Sequence, residues 1–494
     1  MPKRTPGNIH SGIPLKLALL LICLLALGVR IGLIWNSGVG SYTMWTLNSE
    51  AARNLVEGRG YVIDRQYVES ITGLICEGNV MVDLEDVPPP EEEKFTPFYQ
   101  LTPGTPALLA ATYWVFGEYR YIYLRILQAI IDSLGCLVIF LLARELFNRR
   151  TGLIAAGIYA VFLPIAALAT AVIHDALMPF LTLTSLYFFV MGVRRGALKF
   201  YVLSAVFVGI SCYFQPTAIF LPLLYGAGLF IYSLRKSGFR AQLLNVAKVT
   251  AVMVVVLTAI VLPWIIRNYH VTGVLSPSMR IGMWAGLWEG IGEFPDNPIG
   301  AKLCDATAWA IAREELGYDV EFGSPAFDAV FKPKMLNLVK EHPGWYASAL
   351  ARRIPRTIFY VNALGIEERC PEGLSWAEWD SQRVTWADYL PAARDGSLIR
   401  LVIEHPYTTF YWALVASFGI VPVLLSLAGI WVRRKDWRSL VLVATVPIYF
   451  SAVHTLVFVS GAGKSLLPGS IAYIVFSAIA LDYIYGRITD RRNR

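Results

Sequence analysis

Ten stretches of this chain are apolar over lengths that suit membrane spans: about 13–35, 120–143, 152–173, 176–193, 200–214, 216–234, 244–266, 408–432, 438–458 and 465–485. Ile13–Trp35, Val249–Trp264 and Thr408–Val432 are nearly free of charge. Their length is about what a helix needs to cross ~30 Å of hydrocarbon. Composition agrees: 56% of the 494 residues are hydrophobic and 16% charged, against about 45–50% and about 25% in ordinary soluble chains. A soluble domain could not hide that much apolar surface. The pattern excludes a soluble enzyme, a secreted disulfide scaffold and a disordered hub.

The charges orient the segments. Lys3 and Arg4 precede the first; Arg144, Arg149 and Arg150 lie between the second and third; Arg194, Arg195 and Lys199 between the fourth and fifth. Arg235, Lys236 and Arg240 follow the sixth, Arg433, Arg434, Lys435 and Arg438 the eighth, and Arg487, Arg491, Arg492 and Arg494 end the chain. Every second connection is basic, the pattern of an even number of spans with both termini cytoplasmic. It also accounts for the net charge of +7 without nucleic acid as a partner. The expected fold is an all-α polytopic membrane protein of about ten to thirteen transmembrane helices, with two long outer-face loops carrying juxtamembrane helices.

Those loops span about 36–119 and 267–407. The expected organisation is a core over 1–266, an outer lobe over 267–407 and C-terminal transmembrane helices over 408–494. In the first loop, Ala51, Ala52, Leu55 and Val56 can form one helical face. Pro106–Phe116 reads as an interfacial helix, and the acidic, proline-rich Asp83–Glu93 as a solvated insert. The second loop shows helical patches around 306–317 and 327–341. Cys23, Cys136 and Cys212 read as small core residues; Cys304 and Cys370 can pair if the outer loops face an oxidising compartment. No Cys/His metal spacing occurs.

Ionisable groups inside or beside hydrocarbon need a reason to be there. Arg30 and Asp132 read as an ion pair inside the bundle. Glu50 opens a helix-like stretch and is a first-turn carboxylate stabilising a helix N-terminus, a partner for Arg53 three positions on, or a general base. His174-Asp175 occupies a tight outer turn otherwise free of charge, where a carboxylate either solvates the turn, orients a substrate or binds a divalent cation. Arg267, in Pro263-Trp264-Ile265-Ile266-Arg267-Asn268-Tyr269, either anchors the end of its span or grips a phosphate. Gly461-Ala462-Gly463-Lys464-Ser465 imitates a nucleotide-binding loop, but Phe458 stands where its first glycine would be. Lys464 remains a point charge for a lipid phosphate. With Arg53, Arg59 and Arg280 it makes the outer face cationic.

The ordered set of motifs resembles the GT-C superfamily of integral-membrane glycosyltransferases, in the bacterial branch related to protein O-mannosyltransferases and lipid A aminoarabinose transferase. The likeness rests on Glu50–Tyr61, Thr102–Gly117, Leu124–Gln128 with Leu142–Phe147, His174–Leu177, Leu262–Tyr269 and the Lys464–Pro468 turn. It implies a polyprenyl-phosphate-linked sugar as donor and inversion at the anomeric carbon. The acceptor would be a lipid, glycan or protein. Carried across by position, Glu50 is the base and Asp175 the second acid. Arg53, Arg267 and Lys464 lie near the donor phosphate, and His174, Asn268 and Tyr269 orient the substrate or a metal. Any cofactor would be a divalent cation, magnesium or manganese, at Asp175. The resemblance places the chain in a bacterial inner membrane, long loops outward. The sequence departs from the family in Glu50, Asp175, Gln215 and Lys464. A transporter or flippase of lipid-linked cargo is the rival reading; it should show internal repeats and a midplane site, and the sequence shows neither.

Overall fold

A computed structural model describes residues 14–36, 42–68, 94–234, 238–276, 282–359, 392–394, 396–457 and 463–492. Cys76, Cys370, Arg280 and the Asp83–Glu93 insert lie outside these residues, and with them the Cys304–Cys370 pairing. Cys304 itself is exposed.

The described residues are helical almost throughout. Helix α1 (Leu15–Asn36) leads to α2 (Tyr42–Val56), the two-stranded hairpin β1 (Val62–Asp64) and β2 (Phe95–Pro97), and α3 (Gly104–Phe116). The bundle continues through α4 (Tyr121–Ser133), α5 (Gly135–Leu146), α6 (Arg149–Ala160), α7 (Leu163–Ala169), α8 (Met178–Arg195), α9 (Leu198–Phe214), α10 (Leu221–Ser233) and α11 (Phe239–Thr272). A lobe beside the bundle holds α12 (Met283–Ile291), α13 (Asp305–Leu316), α14 (Pro325–Glu341) and α15 (Pro343–Ile358). Then come α16 (Leu398–Glu404), α17 (Pro406–Val432), α18 (Trp437–Leu456), α19 (Gly463–Leu466) and α20 (Ser470–Arg492).

This is a multi-pass membrane protein. Among the described residues, seven helices are long and apolar enough to cross a membrane, α4 and α5 counting as one span over Tyr121–Leu146. The pair α6 and α7, bent by 57°, makes an eighth. The break falls at Val161 and Phe162, and Pro164 stands in the first turn of α7, where its missing N–H costs no helical bond. Helix α9 is apolar but shorter; α8 is diluted by Thr182, Thr184, Ser185 and its closing arginines. These ten elements match the ten apolar segments one to one. Among the described residues the count reaches ten with α8 and α9 included.

Side-chain bonds sort the helix ends into two groups. At one end Arg194 donates to Leu146 O at 3.3 Å and to Ser439 Oγ at 3.2 Å. Asn148 and Thr151 each bond Asp482 at 2.8 Å, and Arg438 donates to Leu234 O at 2.9 Å. At the other end Thr102 donates to Phe214 O at 2.6 Å, Arg125 to Thr170 O at 2.6 Å, and Arg353 to Thr455 O at 3.1 Å. The basic connections thus gather at one end of the bundle and the long connections at the other.

Arg30 and Asp132 pair inside the bundle, both fully buried. Arg30 Nε donates to Asp132 Oδ2 at 2.7 Å, its Nη1 to Ala26 O and Ala160 O, and Tyr159 Oη to Asp132 Oδ1 at 2.7 Å. Four hydrogen bonds around two opposite charges make the pair tolerable in so apolar a place. Helix α1 shows the bundle only this stripe. Leu17, Leu20, Leu21, Leu24 and Leu25 face outward, as lipid contact requires. Helices α17 and α20 meet at Gly429, where a Cβ would lie 2.0 Å from Phe476 O. Ser426 and Ser477 both donate to Pro422 O beside this crossing, the small-residue packing of membrane helices.

Outside the bundle, β1 and β2 pair antiparallel with Ile63 opposite Thr96. Helix α2 packs on two sides. Ala51 joins Ile63, Phe98 and Leu101 under the hairpin. Ala52, with Leu55 and Val56 alongside, joins Leu109, Ala110 and Tyr113 of α3. The expected single face is therefore two. The lobe folds around Trp288, Phe327, Phe331, Met335 and Leu338, and α13 and α14 coincide with the two expected helical patches. Gln100 and Arg65 both bond Glu321, joining the first loop to the lobe.

Candidate active site at the long-loop end of the bundle

Three polar networks sit at this end. The first is built on α2. Glu50 is fully buried. Arg53, one turn on, lies 2.9 Å from Oε2, and Asn54 donates to Oε1 at 2.8 Å and to Val62 O at 3.0 Å. The Arg53 guanidinium stacks 4.5 Å from the centre of the Tyr67 ring. Burial pushes the Glu50 carboxyl above the ordinary glutamate range, although Arg53 and Asn54 favour its charge. Helical spacing places both partners on the glutamate's own face.

The second network surrounds Asp175, in the turn between α7 and α8, also fully buried. His174 Nε2 lies 3.1 Å from Oδ2, Gln215 donates to Oδ1 at 3.4 Å, and Ser465 donates to the same oxygen. His454 of α18, whose ring Nδ1 lies 2.7 Å from Phe450 O, also interacts electrostatically with Asp175. Burial opposes the charge on Asp175. His174, Lys464 and the bonds from Ser465 and Gln215 outweigh it and hold the carboxyl below the usual aspartate range.

The third network closes the end of α11. Arg267 Nη1 donates to Phe98 O and to Asn268 Oδ1, and Nη2 donates to Tyr61 O at 3.0 Å. Its guanidinium lies 5.3 Å from the Tyr61 ring centre and 5.0 Å from that of Trp264. Arg267 therefore clasps both strands' ends of the first-loop hairpin. Asn268 is buried beside it, and Tyr269 is exposed.

Packing joins the three. Ala51 backs onto the hairpin that Arg267 holds. Ala52 packs with Val172, two residues before His174. Ile173 and Ala176 pack on Leu467, beside Lys464 and Ser465. No hydrogen bond links Glu50 with Asp175 among the described residues. The expected set thus falls into Glu50 with Arg53, His174 and Asp175 with Lys464, and Arg267 with Asn268; Tyr269 stands apart. The donor set for a divalent cation at Asp175 is not assembled. No three His, Cys, Asp or Glu side chains converge among the described residues, and a lysine stands beside the one carboxylate. Sequence reasoning missed Gln215, Ser465 and His454 as neighbours of Asp175. It had Gln215 before Pro216 in an outer turn, but no local spacing ties it to Asp175.

Carboxylates and cations thus stand at the long-loop end of a helical membrane bundle. Residues 100–266 match the family model described as dolichyl-phosphate-mannose-protein mannosyltransferase. The chain is similar in fold to the oligosaccharyltransferase AglB of Archaeoglobus fulgidus, solved in complex with an inhibitory peptide and a dolichol-phosphate. The TM-score is 0.52 at 16% identity, over 96% of this chain and 51% of that one. The apo form of the Archaeoglobus fulgidus oligosaccharyltransferase gives a TM-score of 0.50 at 15% identity, over 96% and 51%. This chain thus spans about half the length of those proteins. No curated protein matches it in sequence.

Proposed function

We propose that this protein transfers a sugar from a polyprenyl-phosphate donor to an acceptor at the outer membrane face, with inversion. One observation carries the reading: two buried carboxylates with oppositely shifted acidities stand in networks joined through α2, at the end of the bundle away from the basic connections. A greasy donor can stay in the bilayer while its sugar reaches that end. The positive-inside rule makes it the outer one.

Glu50 is the general base. Its burial raises its basicity toward that needed near neutral pH. It takes the proton of an acceptor nucleophile as that atom bonds the anomeric carbon. The bond from that carbon to the phosphate oxygen breaks, and polyprenyl phosphate leaves with the electron pair. Lys464 meets the developing phosphate charge, with Arg53, beside Glu50, as a second cation. Asp175, the second acid, stays ionised and fixes the Lys464–Ser465 turn and His174. Arg267 acts through the hairpin it holds. AglB's complex with a dolichol-phosphate is consistent with a lipid-phosphate donor.

The test is a transfer assay on purified protein with polyprenyl-phosphate sugars, products identified by mass spectrometry. Glu50→Gln should abolish transfer and leave folding and membrane insertion intact. Near-native turnover in that variant removes Glu50 from the role of base.

A further inference from the structure

We infer that Asn48 on α2 and Gln128 on α4 read hydroxyl groups of the donor sugar, an assignment that rests on the glycosyl-transfer reading above. Both side chains are fully buried, and neither amide's nitrogen or oxygen has a hydrogen-bond partner among the described residues. Buried amides are ordinarily paired. Here Asn54, Asn148, Gln215, Gln242 and Asn268 all have partners. Leaving a buried amide unpaired is costly, more so near hydrocarbon.

Their placement is as specific. Asn48 is one turn before Ala52 and two residues before Glu50. Gln128 is one turn after Leu124 and one before Asp132. Ala52, Leu124 and Val172 pack in one cluster, and Arg125, three residues before Gln128, bonds Thr170 O at 2.6 Å. The two helix faces that carry the amides therefore border one cluster, at the turn leading to His174 and Asp175.

The chemistry selects the ligand class. A primary amide presents two donors and an acceptor side by side. A phosphate would match only the donors, a cation only the oxygens, and an isoprenoid tail neither. Adjacent hydroxyls of a sugar ring both donate and accept, and match the whole amide. Such hydroxyls could come from the donor or from a glycan acceptor. The donor is favoured because Asn48 shares its helix with Glu50, and the reacting anomeric carbon belongs to the donor.

The test compares binding of dolichyl phosphate mannose, glucose and arabinose with binding of bare dolichyl phosphate. The full-length protein in nanodiscs is used, native and as Gln128→Met and Asn48→Leu. The native protein should favour one sugar-bearing lipid over the bare one. Each variant should lose that preference by roughly tenfold, bind the bare lipid as before and keep or raise its thermal midpoint, because an unpaired buried amide has gone. Three results overturn the assignment: an unchanged preference, an equal loss for both lipids, or a lowered thermal midpoint showing that the amides held the fold together. A native protein that binds neither kind of lipid instead sinks the glycosyl-transfer reading, and this inference with it.

Discussion

Ser465 and Asp175, 290 positions apart, are joined by a hydrogen bond from the serine hydroxyl to the carboxylate. That bond fixes the Lys464 turn against the turn between α7 and α8. A hydrogen bond to a charged group contributes roughly 1.5–3 kcal/mol, so Ser465→Ala should slow transfer about tenfold or more. Asp175→Asn should slow it further, since His174 and Lys464 lose their counter-charge. Initial rates and thermal midpoints measured together check this; full activity in both variants would detach this turn from the chemistry.

The two carboxylates should leave opposite marks on pH profiles. Burial raises Glu50, so its base form is lost at a higher pH than an ordinary glutamate's, and the acid limb of turnover should sit above that range. Between the unfolded and folded values the native state holds a proton that the unfolded chain has released. Stability from this group therefore falls as pH rises through that window. Asp175, depressed by His174 and Lys464 against its burial, contributes stability above the ordinary aspartate value and loses it as pH falls through its folded one. Glu50→Gln should remove the first slope and leave the second.

Arg267→Ala should lower turnover by about ten- to a hundredfold, in line with groups that hold reacting parts in register, while donor affinity changes little. Arg267→Lys should not rescue it, because an ammonium cannot reproduce a fork that meets Phe98 O and Tyr61 O together. Separate measurement of donor KM and kcat decides. A selective loss of donor affinity would assign the guanidinium to the phosphate instead.

Asp132→Ala should leave Arg30 charged, buried and uncompensated, at a cost of about 3–5 kcal/mol. Little folded protein should accumulate. Arg30→Met with Asp132→Leu should recover most of it, because both charges go together. Fluorescence-detected size exclusion of the three variants in detergent shows whether it does.

Gly104→Ala tests the docking of α3. A Cβ there would lie 2.6 Å from Tyr213 O, a main-chain atom that cannot swing aside. The Thr102 bond to Phe214 O lies two residues away. The variant should lose thermal stability and, because α3 supports Ala52 of α2, part of its turnover. An unchanged melting curve would show that α3 is not clamped there.

Sequence alone determined the membrane-spanning class, the ten apolar segments, the sorting of basic connections to one end and the Arg30–Asp132 pair. Each follows from local composition or from the rule that a buried charge needs an opposite one. It also held the Glu50–Arg53 pair, because three residues of helix place those side chains together. Tertiary structure decided the rest. Asp175 draws its partners from the residue after α9, from α18 and from α19, and no periodicity links positions so far apart. Arg267 turned toward main-chain carbonyls, which carry no signature in side-chain sequence. A helix fixes what lies one turn away; what lies on the next helix is fixed only when the whole bundle packs.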